Sequence, residues 1–183
     1  MAVQVVASAY SDGPTLTAAA TASCLPTYVP TTLPAGYWQI GRTWRITASG
    51  RISCVITTPG TARWDLRMAA ITVFDTLAIP LNVVAKVNVP WWLEIVLQCR
   101  SVGSSTSATL FGQGYWLSEA ALLVPLPATG PGPGGNTLPY NTAPVVGTGF
   151  DSTAANAMDF RFTQTAATGS MTMHMFCIEQ LTP

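Results

Sequence analysis

Between Thr43 and Ile56 the chain alternates, with Trp44, Ile46, Ala48, Ile52, Cys54 and Ile56 on one parity and Arg45, Thr47, Ser49, Arg51 and Ser53 on the other. A period of two places successive side chains on opposite faces of a strand, whereas a helix would need apolar residues three and four apart. The same alternation returns in Ala62 to Phe74, in Trp91 to Cys99 and in two closing stretches. The closing stretches carry Met158, Phe160 and Phe162, then Met171, Met173, Met175 and Cys177. No segment carries a convincing helical pattern. The expectation is an all-β fold of about eight strands in two facing antiparallel sheets.

Turn chemistry divides these strands. Thr58-Pro59-Gly60 predicts a turn that makes a hairpin of Thr43–Ile56 and Ala62–Phe74, and residues 166–169 predict another between the last two strands. Ser101 to Ser107 reads as a loop, and Gly50, Gly112 and Gly114 mark a bend, a bulge or close packing. Pro14, Pro26, Pro30 and Pro34 forbid regular structure across most of residues 1–35, which read as an extended arm with apolar anchors at Tyr10, Leu25, Tyr28 and Val29. Residues 36–183 form the single domain. Within it residues 126–150, with the run Gly130-Pro131-Gly132-Pro133-Gly134-Gly135, read as a long loop without an element of its own.

Composition enters through what it excludes. Charged residues are 9% of the 183, against roughly 25% in an ordinary soluble chain, and eight basic side chains balance eight acidic ones. No net field draws nucleic acid or an anionic membrane, and no long-range repulsion keeps copies apart. The one local imbalance is the basic group Arg42, Arg45, Arg51, Arg63 and Arg67, relieved only by Asp65, which reads as a solvated sheet face or a subunit contact. Few charges combined with six Trp, five Tyr and six Phe predict self-association, because interfaces are enriched in aromatics and depleted in charge.

Catalytic chemistry finds little purchase. The chain has one histidine, His174, with no nucleophile or ligand beside it and no Gly-x-Ser-x-Gly elbow elsewhere. Asp65 and Glu94 are the carboxylates to test for glycoside hydrolysis, although a cross-strand charge pair is the plainer role. Cys24, Cys54, Cys99 and Cys177 are scattered without zinc spacing. With no basic segment leading a long apolar run at the N-terminus, they are expected as reduced thiols of a protein made in a cytoplasm. The Met171-Met173-Met175 row, extended by Cys177, reads as a core seam. Tyr37, Trp38 and Trp92 are the aromatics that could stack on a sugar. The expectation is a non-enzyme with no cofactor, metal or catalytic residues.

The strings Gly41-Arg42-Thr43-Trp44-Arg45-Ile46-Thr47-Ala48-Ser49-Gly50-Arg51-Ile52, Thr57-Thr58-Pro59-Gly60-Thr61, Trp92-Leu93-Glu94 and Cys99-Arg100-Ser101-Val102-Gly103, with the closing Phe176-Cys177-Ile178-Glu179, resemble small virion proteins of tailed bacteriophages. The likeness runs from about Gly36 to Leu181 and leaves the arm uncovered. It implies a jelly-roll-like sandwich, commonly a homotrimer, mounted on the phage head or tail, and brings no catalytic residues. The function expected from it is a head decoration or cement protein, made in the host cytoplasm and carried in the virion. Its partners are its own copies and the major capsid protein or another virion protein. The alternative is a tail-associated receptor- or carbohydrate-binding module with a host glycan as ligand. Leu25, Tyr28, Val29, Tyr37 and Trp38 are the expected assembly contacts. Deleting residues 1–35 is expected to leave a folded domain that attaches weakly.

Overall fold

The computed structural model describes residues 4–55, 59–122 and 136–182. Among these lie twelve strands and no helix: β1 (Gln4–Ala9), β2 (Thr21–Ser23), β3 (Thr32–Leu33), β4 (Thr43–Cys54), β5 (Thr61–Met68), β6 (Ile71–Asp75), β7 (Ile79–Pro80), β8 (Lys86–Ser101), β9 (Thr109–Ser118), β10 (Asn136–Leu138), β11 (Asn156–Gln164) and β12 (Ser170–Gln180). They form two sheets. Sheet A runs β1-β12-β4-β8-β9-β10, and sheet B runs β2-β11-β5-β6 with β3 added to β11 and β7 to β5. Twelve strands replace the expected eight because five of them, β2, β3, β6, β7 and β10, are only two to five residues long, too short to show a period.

In β4, β5, β8 and β11 the alternation correctly divided inside from outside. Trp44, Ile46, Ala48, Ile52 and Cys54 of β4 and Trp91, Leu93, Ile95, Leu97 and Cys99 of β8 are buried between the sheets. From sheet B they meet Trp64, Leu66, Met68, Phe160 and Phe162, all shut off from solvent. Trp64 spans the gap, its ring centroid 5.6 Å from Trp91, 4.6 Å from Trp116 of sheet A and 5.1 Å from Phe162.

Strand pairing departs from both expected hairpins. β4 pairs with β12 and β8 in sheet A, whereas β5 pairs with β11, β6 and β7 in sheet B. Thr43–Cys54 and Thr61–Met68 therefore lie in opposite sheets, and so do β11 and β12. A strand whose apolar face must be covered can find that cover in the opposite sheet, and alternation does not say which neighbour supplies the hydrogen bonds. Residues 56–58, part of the first proposed turn, lie outside the described residues. The real hairpins are β5–β6, turning at Ala69 with φ 52°, and β8–β9.

Residues 4–35 are part of the sandwich. β1 is an edge strand of sheet A on β12, while β2 and β3 pair with β11 in sheet B. Between them Gly13 donates to the Met173 carbonyl at 2.8 Å, and Leu16 and Met171 exchange backbone bonds of 2.8 and 2.9 Å. The stretch expected to be loop over 126–150 also carries an element, because β10 pairs with β9. Its Gly-Pro run at 130–135 lies outside the described residues.

The methionine row is broken. Met171 and Met173 are buried, but Met175 is 55% exposed, and Phe176 and Ile178 take over the core. A bulge between Met173 and Met175 in the pairing with β4 causes the switch, since one extra residue reverses the parity of everything beyond it. Gly50 lies opposite Met173, and a Cβ there would come within 2.0 Å of the Thr172 carbonyl oxygen. Gly50→Ala is expected to lower the unfolding free energy by about 2 kcal/mol, measured by urea denaturation.

Candidate functional site

The outer face of sheet A is more apolar than a solvated face requires. Register sets Met175, Ser49, Trp92 and Leu117 side by side across β12, β4, β8 and β9. One side-chain repeat along the strands lie Cys177, Thr47, Glu94 and Tyr115, followed by Glu179, Arg45, Val96 and Gln113. Trp92, Val96, Tyr115, Leu117 and Met175 each leave more than a third of their surface exposed.

Trp91 and Trp92 show how the strand makes the site. Adjacent residues of β8 point to opposite faces, so Trp91 is 2% exposed in the core and Trp92 is 40% exposed outside. Beside Trp92 lies a recess of about 700 Å³ lined by Ser49, Gly50, Pro90, Leu117, His174 and Met175 among others. A second hollow of about 260 Å³, bordered by Ser8, Thr47 and Cys177, opens on the other side of Trp92 and Met175. The bulge that turns Met175 outward thus also builds the wall between the two. His174 Nδ1 lies 2.8 Å from Asp12 Oδ1 at the rim. At the opposite rim Lys86 Nζ lies 3.3 Å from Glu119 Oε2.

Charges on this face are mostly paired within the chain. Arg45 Nη2 lies 2.5 Å from Glu179 Oε2, and the bond holds the guanidinium charge more firmly. Arg51 has no ion pair among the described residues, and Glu94 accepts from the Tyr115 hydroxyl at 3.3 Å and adds to the field that holds the Arg45 charge. The basic group of the sequence is split between two faces. Arg45 and Arg51 lie on sheet A, while Arg63 and Arg67 lie outside sheet B, paired with Asp75 and Asp65.

The carboxylate pair does not form. Asp65 belongs to β5 in sheet B and Glu94 to β8 in sheet A, with the core between them. Asp65 is 1% exposed. Arg67 Nε lies 2.6 Å away, and Arg161 is its register partner on β11. Cys24 lies buried in the same neighbourhood, where burial, then Asp159 and Asp65, push its thiol well up. A thiol held so firmly protonated is a poor nucleophile. Asp65→Ala is expected to cost about 2–3 kcal/mol, below the 3–5 for a fully buried pair because Arg67 keeps partial contact with water. Chemical denaturation measures it.

The expected assembly contacts fall into two groups. Leu25, Val29 and Trp38 are buried in their own domain, with the Trp38 ring centroid 4.4 Å from that of Trp44, so their surface is already spent. Tyr37 is half-buried and also turned inward. Its hydroxyl donates to Gln180 Oε1 at 2.7 Å and accepts from Trp44 Nε1 at 2.9 Å, while Arg42 stacks on its ring at 4.6 Å. Only Tyr28 presents an exposed ring, stacked at 4.0 Å on that of Tyr10, and its hydroxyl accepts from the Tyr10 and Ser11 amides at 2.7 Å each. Of the three aromatics considered for sugar stacking, Trp92 alone is available. The sequence signal for the site was the Trp-Trp pair, but the recess depends on the bulge, which leaves no mark in the pattern.

Protein-family models, curated proteins and solved structures gave no match to this chain. Among the described residues no three His, Cys, Asp or Glu side chains are grouped to hold a metal ion.

Proposed function

We propose that this chain is a structural protein of a phage virion without enzymatic activity, a head decoration or cement protein that stabilises the shell by burying surface in an assembly. The observation that carries the reading is the apolar outer face of sheet A around Trp92. Contiguous apolar patches of this kind are uncommon on monomers and mark interaction surfaces. A chain with so few charges has little else to keep such a face in water. The jelly-roll-like winding belongs to the same proposal. It is supported by β4 and β5, and by β11 and β12, which are consecutive long strands lying in opposite sheets, while β12 returns between β1 and β4. Tyr28 with Tyr10 is the remaining aromatic contact for attachment to a capsid neighbour.

A cement protein adds interface across capsomer junctions and favours the closed shell because it binds that form better. A density map of the intact particle is the test. Copies spanning capsomers on the head support the reading, and a particle that lacks the chain sinks it.

Trp92 also favours a second reading, a tail-associated glycan binder, because a half-exposed indole beside an open recess can stack on a sugar ring. Copies confined to the tail tip, together with glycan binding lost in Trp92→Ala, would make that the function.

A further inference from the structure

We infer that the partner of the sheet A outer face is a second copy of this chain, packed face to face about a two-fold axis that runs across the strands along the Ser49–Trp92–Leu117 row. This rests on the assembly reading above and names the occupant of its surface.

The first ground is charge. Arg45 is neutralised by Glu179 and Lys86 by Glu119, and Arg100 lies at the far end of β8 over the Phe111 ring. Glu94 also lies within the field of Arg45. Arg51 and Glu94 are left as the charges flanking the Trp92 row without an ion pair among the described residues. They lie on opposite sides of Trp92. Ser49 is the register partner of Trp92, Thr47 of Glu94, and Arg51 of Pro90, so Glu94 stands one side-chain repeat to one side of the Trp92 row and Arg51 one repeat to the other. A two-fold axis along that row leaves it facing itself and exchanges the two sides. Glu94 of each copy is thereby set against Arg51 of the other, offset by one strand spacing of about 4.8 Å, well within the reach of an arginine. Isologous contacts demand this kind of self-complementarity.

The second ground is area. About this axis β12, β4 and β8 each run five residues or more to either side, whereas β9 ends one residue beyond Leu117. Three strands about 4.8 Å apart and ten residues long at about 3.4 Å per residue present a plane of roughly 490 Å², to which side-chain relief and the rest of β9 add, toward the ~800 Å² per partner of a stable interface. The apolar centre of the plane is Trp92, Met175 and Leu117, flanked by the recess, and the two indoles would pack beside each other over the two recesses. The zero net charge of the chain places no long-range repulsion against the approach.

The full chain, purified and followed by sedimentation equilibrium, should show twice the chain mass. Glu94→Arg sets arginine against arginine, and Arg51→Glu sets acid against acid. Each should weaken the dimer by about tenfold or more, with an unchanged far-ultraviolet circular dichroism spectrum. The double variant Glu94→Arg/Arg51→Glu restores opposite charges and should recover the dimer. Three results would overturn the inference: a monomer at all concentrations, a trimer indifferent to these variants, or single variants that dimerise normally. Finding the chain on the particle as isolated copies would overturn the two-fold contact and leave the virion reading standing. A dimer of a chain absent from the particle would do the reverse.

Discussion

Removing residues 1–35 is expected to leave a chain that no longer unfolds cooperatively. The segment supplies Leu25, Val29 and Leu33 to the core. At about 1.5–3 kcal/mol for each fully buried side chain, their loss removes roughly 5–9 kcal/mol, comparable to the whole stability of a typical domain at about 5–15 kcal/mol. The deletion also takes β1 from β12, and β2 and β3 from β11. Two sheet edges are left with unpaired backbone groups that favour aggregation. Urea denaturation followed by tryptophan fluorescence should show no sigmoidal transition, and adding a peptide of residues 1–35 should restore one. A truncated chain with a transition within about 1 kcal/mol of the full one would show that the segment is detachable after all.

Trp64→Ala is expected to cost about 3–5 kcal/mol, the range for removing a large aromatic from a core that relaxes only partly. Trp64 has no exposed surface and touches Trp91 and Trp116 of the facing sheet as well as Phe162 of its own, so its loss opens a void at the point where the sheets meet. Trp64→Phe should cost distinctly less. It keeps most of the ring volume, and the indole Nε1 that it removes has no hydrogen-bond partner among the described residues. A midpoint shift in denaturation by chemical means, at constant slope, is the measurement. Equal losses for the two substitutions would mean that the nitrogen, and not the volume, sets the energy.

These two expectations come from different kinds of information. That Trp64, Leu66 and Met68 point inward follows from the alternation of β5 alone, since a strand offers its residues two faces and burial sorts them. The same reasoning placed Trp91 inside and Trp92 outside, and so reached the central residue of the candidate site. It did not reach the recess. Met175 shares the parity of the buried Met171 and Met173 in the sequence, and only the bulge opposite Gly50 and Ser49 turns it outward.

The N-terminal segment shows the limit most plainly. Its prolines rule out a long regular element, and they did. Short pairings such as β2 and β3, of three and two residues, have no period to read, and their strength comes from a partner strand more than a hundred residues away. Leu25 and Val29 were recognisable as anchors, but whether an anchor holds to its own core or to a neighbour depends on where β11 lies.

From its sequence alone this chain was determined to be all-β, with the inner and outer faces of β4, β5, β8 and β11 assigned, because both properties are local and repeat every two residues. Only the tertiary structure decided which strands share a sheet, that residues 4–35 complete the sandwich, and that Asp65 and Glu94 lie on opposite sides of the core. Hydrogen-bond partners and bulges are set by contacts between distant segments, and those contacts exist only once the whole chain is packed.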